Sequence, residues 1–279
     1  MPFIETEDIQ RGENVYLNYQ DYGDGQPVIL IHGWPLSHKM WENQIQTLVD
    51  AGFRCIAYDR RGFGDSDRPW LNYDYTSLAQ DLRALIEQLD LHHCVLVGFS
   101  MGGGEVVRYL SMFGNDRIDK AILVSSIIPI VKKTDDNPDG VPEDKLDEIM
   151  DALQTKRVTF LAEFSKQFYN YSDYKDKVSE EQLKYDWAIA SAASPRATIE
   201  TAKAWANTDF RNELRNVTVP TLIVHGDADQ IVPIETSSEQ SSKEIRNNKF
   251  VKIKNAPHGL FLTHKEELNT AIIDFLRQQ

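Results

Sequence analysis

The chain has 279 residues, 41% of them hydrophobic and 10% aromatic, enough to bury a large apolar core and too long for a small disulfide- or metal-stapled domain. Against 30 Lys and Arg stand 43 Asp and Glu, a net charge of −13, and that field repels nucleic-acid phosphates and anionic membrane surfaces. No stretch approaches the ~20 apolar residues of a membrane span.

Residues 1–8 lack the cationic region and apolar run of a signal peptide. A soluble, cytoplasmic protein is therefore expected, with neither nucleic acid nor membrane as partner. Cys55 and Cys94 each lie in an apolar run, where reduced, buried thiols are the expected state.

In chain order, 15–19 and the Gly23-Asp24-Gly25 turn predict an antiparallel hairpin feeding the first buried strand. Five apolar runs follow, at 28–31, 54–58, 94–97, 121–124 and 221–224. They close on His32-Gly33, Asp59-Arg60-Arg61-Gly62, Gly98, Ser125-Ser126 and His225-Gly226. Runs that are apolar on both faces and mostly stop at glycine turns are what a parallel sheet covered by helices requires. Between them Leu78, Leu82, Leu85, Ile86 and Leu89 fall on one helical face, and 102–113 follows its strand directly. Strand, turn and helix in alternation read as an α/β sheet with right-handed crossovers.

The alternation stops between 128 and 206. A turn-rich acidic stretch at 132–140 gives way to helical patterns at 143–153 and 160–169, and strands resume at 221. A helical cap at 128–206 is expected between two parts of one core, 1–127 and 207–279, lying over the carboxyl ends of the strands. Most of the acidic surplus sits in 1–127, while 207–279 is almost neutral, so the charge solvates the surface rather than steering substrate.

Gly98-Phe99-Ser100-Met101-Gly102 matches G-x-S-x-G between a predicted strand and a predicted helix. The five-residue pattern alone arises by chance in roughly one chain in ten of this length, so its position carries the weight. A sharp strand-to-helix turn strains the serine and needs small neighbours two residues away. It also presents Oγ at a helix N-terminus, where a developing anion is favoured. The bland alternative is a glycine-rich helix start capped by Ser100.

A serine hydroxyl needs a base and an orienting carboxylate, here in the order Ser, Asp, His. Of the seven histidines, His258 in Ala256-Pro257-His258-Gly259, after the strand-like 250–253, has both the order and the place. His32, His38, His92, His93, His225 and His264 have ordinary structural readings. Asp227 and Asp229 both follow the buried run at 221–224; Asp227 can cap its own loop, and order alone does not choose between them. With no CxxC, no HExxH and no complete phosphate loop, neither metal nor cofactor is expected.

Taken together, His32-Gly33-Trp34-Pro35-Leu36, 59–66, 99–106, Ser194-Pro195, 208–211, 225–233 and 256–259 resemble the α/β-hydrolase superfamily. Within it, the chain is similar to the cofactor-free bacterial haloperoxidase group of perhydrolases and aryl esterases, most weakly between 131 and 193. The resemblance implies the α/β-hydrolase fold, a mostly parallel twisted sheet with helices on both faces and a helical cap. It also implies that the acid is the aspartate three residues after the glycine, Asp229 after Gly226, which gives Ser100, Asp229 and His258 as the catalytic set. One oxyanion donor is then the N–H of Met101, and the other comes from the loop after the first buried strand. Pro35 has no N–H, which leaves Trp34.

In the group resembled, a proline after this tryptophan accompanies perhydrolysis, which implies a Trp34 carbonyl that accepts a hydrogen bond from peroxide. A rigid turn without that effect is the other reading. Trp34, Pro35, Phe99, Trp205, Ile231 and Val232 are expected to line an acyl pocket; plain core is the other reading for Trp34, Phe99, Ile231 and Val232, and for Trp205 with at least an equal claim. The expected activity is acyl transfer through Ser100 from a small or aryl ester or carboxylic acid, released by water or by hydrogen peroxide as a peracid. Lactonase, amidase and carbon–carbon bond hydrolase activities, or a ligand receptor with vestigial hydrolysis, are the alternatives. Members of the group often form homo-oligomers, an expectation that rests on resemblance alone because no exposed apolar stripe is readable.

Overall fold

Strands that are apolar on both faces need a helix layer on each side, and the computed structural model, which describes residues 2–8 and 12–278, has both. The strands are β1 (Phe3–Asp8), β2 (Glu13–Tyr22), β3 (Pro27–Ile31), β4 (Arg54–Tyr58), β5 (Cys94–Phe99), β6 (Ile118–Val124), β7 (Thr221–Gly226) and β8 (Asn248–Ile253). They form one sheet in the order β1-β2-β4-β3-β5-β6-β7-β8. β1 pairs antiparallel with β2 and β2 antiparallel with β4, while every pairing from β4 to β8 is parallel.

Helices α1 (Glu42–Asp50), α2 (Tyr75–Gln88) and α3 (Met101–Phe113) alternate with the early strands. Four more, α4 (Glu143–Thr155), α5 (Arg157–Phe168), α6 (Glu180–Ala192) and α7 (Pro195–Asn207), connect β6 to β7. The chain closes with α8 (Ser238–Glu244), the short α9 (Leu260–Thr263) and α10 (Lys265–Leu276). The long excursion leaves and returns at one point, because Phe210 N–H donates to the Pro129 carbonyl at 2.8 Å and Ile130 bridges Asp209. Among the described residues no helix is long and apolar enough to cross a membrane.

The two-residue period of the strands divides the core. Val28, Leu30 and Val97 face α1 and α10, burying Leu48 and Ile272 with them. Ile29, Ile31 and Leu96 face α2 and α3, burying Leu82 and Val106. These side chains are buried from solvent on both faces, so each aliphatic side chain contributes about 1.5–3 kcal/mol relative to exposure. Cys55 and Cys94 are free and buried; burial pushes both thiols up to about 12, which keeps them protonated and inert at neutral pH.

The N-terminal hairpin differs from expectation. β2 does not pair with β3: it pairs with β1 on one edge and β4 on the other. The reason is that both edges of β3 are occupied by parallel partners, β4 and β5. The glycine turn serves instead as a crossing that lies against the α1–β4 turn, where a Cβ at Gly25 would sit 2.3 Å from the Gly52 carbonyl oxygen.

Because β4 lies on one side of β3 and β5 on the other, the sheet order reverses at β3 and opens a crevice at the carboxyl ends of these strands. A buried polar network braces that crevice. Arg60, just after β4, donates through Nε to Glu105 Oε1 on α3 and through Nη2 to the His32 carbonyl at 2.7 Å. Tyr58 Oη donates to Glu105 Oε2 at 2.7 Å. His32 Nε2 accepts the Arg60 backbone N–H at 3.0 Å, and burial, reinforced by the Arg60 charge, lowers its pKa to about 3, so it stays neutral. Breaking a buried pair leaves an uncompensated charge. Glu105→Gln is accordingly expected to lower stability by about 3–5 kcal/mol in chemical denaturation, and a loss under about 1 kcal/mol would show that the guanidinium does not depend on the carboxylate.

Candidate active site

Ser100 occupies the turn between β5 and α3 with φ 52 and ψ −116, a conformation costly for a residue with a side chain. The turn is tight enough that a Cβ at Gly98 would lie 2.5 Å from the Gly102 carbonyl oxygen, and one at Gly102 2.6 Å from the Ile31 carbonyl oxygen. Ser100 makes no side-chain cap bond to α3, so the capping alternative does not describe it. Its Oγ lies 3.0 Å from His258 Nε2.

His258 follows β8 and presents Nδ1 to Asp229 Oδ2 at 2.6 Å. Its ring is held by Phe99 at 4.9 Å and, edge to face, by Phe168 at 4.8 Å. Asp229 stands three residues beyond the end of β7, in the loop where Oδ1 accepts the Ile231 and Val232 N–H groups at 2.9 and 2.8 Å. Oδ2 also meets His225 Nε2 at 3.1 Å. Burial works to raise the Asp229 pKa, but the His258 charge and the hydrogen bonds from His225 and His258 outweigh it and hold the carboxyl well below the usual range. Asp227 is exposed and accepts the Asn255 N–H at 2.5 Å, a loop-capping contact. Ser100, His258 and Asp229 thus come from the carboxyl ends of three different parallel strands and meet in one line. With Nδ1–H directed at a carboxylate, His258 Nε2 is free to take the Ser100 proton.

Ser100 and His258 open into a cavity of about 260 Å³. Trp34 and Met101 stand beside Ser100 in its wall. Met101 is the first residue of α3, so its N–H has no intrahelical acceptor, and among the described residues neither it nor the Trp34 N–H donates to a loop acceptor. The Trp34–Pro35 peptide is cis, in a turn closed by Leu36 N–H to the Gly33 carbonyl at 3.0 Å. The Trp34 indole stacks edge-on against Phe164 and Trp205 and donates Nε1–H to the Thr198 carbonyl at 3.0 Å.

Trp205, Ile231 and Val232 also line the cavity. Two expected wall residues do not. Phe99, the last residue of β5, is fully buried beneath the His258 ring among Trp41, Phe168 and Phe261. Pro35 faces a separate small void with Leu36, Phe168 and Tyr169. Sequence reading missed Leu146, Ile149, Phe160 and Phe164 in the opposite wall, because an apolar helical face looks the same whether it covers core or cavity. It also missed His225 as a partner of Asp229; the four-residue spacing was visible, but nothing signalled the loop path that brings the two together. No Asp, Glu, Lys or Arg lines the cavity, and no cluster of His, Cys, Asp and Glu suited to a metal occurs among the described residues.

A parallel sheet with a strained serine at its switch point and a histidine and aspartate aligned on it defines a hydrolase of the α/β type, and the chain belongs to the alpha/beta hydrolase fold family, whose match spans residues 26–265. A non-heme chloroperoxidase of Kitasatospora aureofaciens is 37% identical over 280 residues, covering 100% of both chains. A bifunctional esterase/perhydrolase of Acinetobacter calcoaceticus is 35% identical over 99% of this chain and 100% of that one. The solved bromoperoxidase of Bacillus anthracis superposes with a TM-score of 0.95 at 43% identity, over 99% of each chain. The resemblance read from the motifs is therefore borne out across the full length.

Asp229 also leaves a mark on stability. Its folded-state pKa is depressed, so its contribution is complete above the unfolded value of about 3.9 and is lost as pH falls below that value toward the folded one. Between about pH 4 and pH 2, unfolding free energy should decline more steeply in the wild type than in Asp229→Asn, by up to about 1.4 kcal/mol per pH unit. Denaturation series at stepped pH measure the difference, and parallel curves would contradict it.

Proposed function

We propose that the protein is a cofactor-free serine esterase and perhydrolase, with Ser100 as nucleophile, His258 as general base and acid, and Asp229 as the group that holds the imidazole. The observation that carries this reading is the unbroken chain from Ser100 Oγ through His258 to Asp229 Oδ2, at 3.0 and 2.6 Å, opening on the cavity. Trp34 and Met101 N–H supply the oxyanion hole, and 128–206 acts as the cap. The named activities of the full-length relatives support the same chemistry, and the two free thiols support a cytoplasmic site of action.

In acylation, Ser100 Oγ attacks the carbonyl carbon while its proton passes to His258 Nε2. The tetrahedral oxyanion is stabilised by the two N–H groups, and the leaving alcohol, or water when the substrate is a free acid, departs with the proton. A second nucleophile then attacks the acyl carbon, giving its proton to His258 Nε2, and His258 returns that proton to Ser100 Oγ as the acyl–Oγ bond breaks. Water yields the acid, and hydrogen peroxide yields a peracid. The peracid can oxidise bromide away from the protein, becoming the carboxylate as hypobromite forms. The apolar, uncharged cavity suits small or aryl acyl groups. Water at ~55 M competes with far less peroxide, so hydrolysis and perhydrolysis coexist.

The test compares wild type with Ser100→Ala on p-nitrophenyl acetate, and separately on acetate with hydrogen peroxide, bromide and a halogenation indicator. Both activities should fall at least about 10³-fold in the variant. Retained activity would overturn the assignment, and a single acyl equivalent followed by arrest in the wild type would point to a receptor.

A further inference from the structure

His225 is the second imidazole on Asp229. Its Nε2 lies 3.1 Å from Asp229 Oδ2 and 2.8 Å from the Val232 carbonyl oxygen. Both atoms are acceptors, so Nε2 carries a proton and donates to both. The other ring nitrogen, Nδ1, lies 2.7 Å from Ser238 Oγ in the first turn of α8. That hydroxyl donates to Nδ1 and fixes the Nε2–H tautomer, since the opposite tautomer would aim a lone pair at two oxygens.

We propose that His225, anchored by Ser238, is a positioning residue that sets the plane of the Asp229 carboxylate so that Oδ2 meets His258 Nδ1 in line. The proposal rests on the reading of Ser100, His258 and Asp229 as the hydrolytic set. Two backbone N–H groups hold Oδ1, but a carboxylate pinned at one oxygen can still turn about Cβ–Cγ, where the rotational wells are broad. A donor on Oδ2 besides His258 removes that freedom. It also completes four donors on a carboxylate whose side chain is fully buried, so the charge persists without solvent. The bond to Val232 ties the same ring to the loop that carries Ile231 and Val232 into the cavity wall. Lys252, opposite His225 in β8, pairs with Glu239 of α8.

The experiment uses the full chain and p-nitrophenyl acetate. His225→Ala should lower kcat at least about tenfold, up to about 10²-fold, with KM within about twofold. His225→Gln, which places an N–H donor near the position of Nε2, should recover most of the loss. Proton NMR gives a readout that a merely structural role would leave unmoved: the low-field resonance of His258 Nδ1–H should shift or broaden in His225→Ala and return in His225→Gln. Should His225→Ala fail to fold, Ser238→Ala keeps the ring and removes its anchor, and a smaller fall in kcat with a disturbed low-field resonance is expected. Unchanged kcat and resonance in the folded variants, or a Gln variant no better than Ala, would overturn the proposal. Ser100→Ala separates the two readings: its retained activity would remove the catalytic set itself, whereas an inactive Ser100→Ala beside a wild-type-like His225→Ala would remove only the role of His225.

Discussion

Ser100 sits at φ 52 in a turn where three backbone segments come closer than any β-carbon allows, and the remaining features of the site are arranged around it. Gly98 and Gly102 let β5, α3 and the end of β3 make that approach. The close contact sets the height of Oγ above the sheet and places it beside the first free N–H of α3. A larger residue at Gly98 would push α3 away from β5, and one at Gly102 would push it away from β3, separating Ser100 from Trp34 on the neighbouring loop. Strain at the serine is held by the packed end of β5 and by α3, which the Arg60–Glu105–Tyr58 network ties to the end of β4.

The acid side of the site solves a different problem. A buried carboxylate would ordinarily take up a proton, which would destroy its use as a partner for imidazolium. Asp229 avoids this by being fully hydrogen-bonded, two donors from the backbone and two from imidazoles. The proposed base is restrained by packing as well as by its bond to Asp229: Phe99 and Phe168 hold the ring of His258, leaving Nε2 directed at Ser100. Phe168 belongs to α5, so the helical excursion between β6 and β7 holds the His258 ring as well as lining the cavity. Trp34 makes a similar link, since its indole hydrogen bond to Thr198 ties the expected oxyanion loop to α7.

Much of the fold was legible because buried parallel strands carry their own signature. The apolar runs, most of them ending in glycine turns, became β3 to β7, and the leucine periodicity at 78–89 became α2. The Ser100 motif and the position of His258 were readable for the same reason, as local features at strand ends. Where reading failed, the missing information was non-local. Pairing of β2 with β4 depends on which edges are already taken, and the burial of Phe99 beneath His258 depends on α5 and α9 arriving from distant parts of the chain.

The sequence by itself determined the alternation of elements, the strand-to-helix turn at Ser100, and, through its resemblance to a known family, the choice of Asp229 over Asp227. These follow from periodicity, from glycine's unique backbone freedom and from recognisable local patterns, which need no knowledge of neighbours in space. Only the tertiary structure decided the orientation of the Asp229 carboxylate, the recruitment of His225 and Ser238 behind it, the identity of the cavity's far wall and the exclusion of Pro35 and Phe99 from it. Each of these depends on distances between segments far apart in the chain, and hydrophobic patterning specifies that a face is buried without specifying what it is buried against.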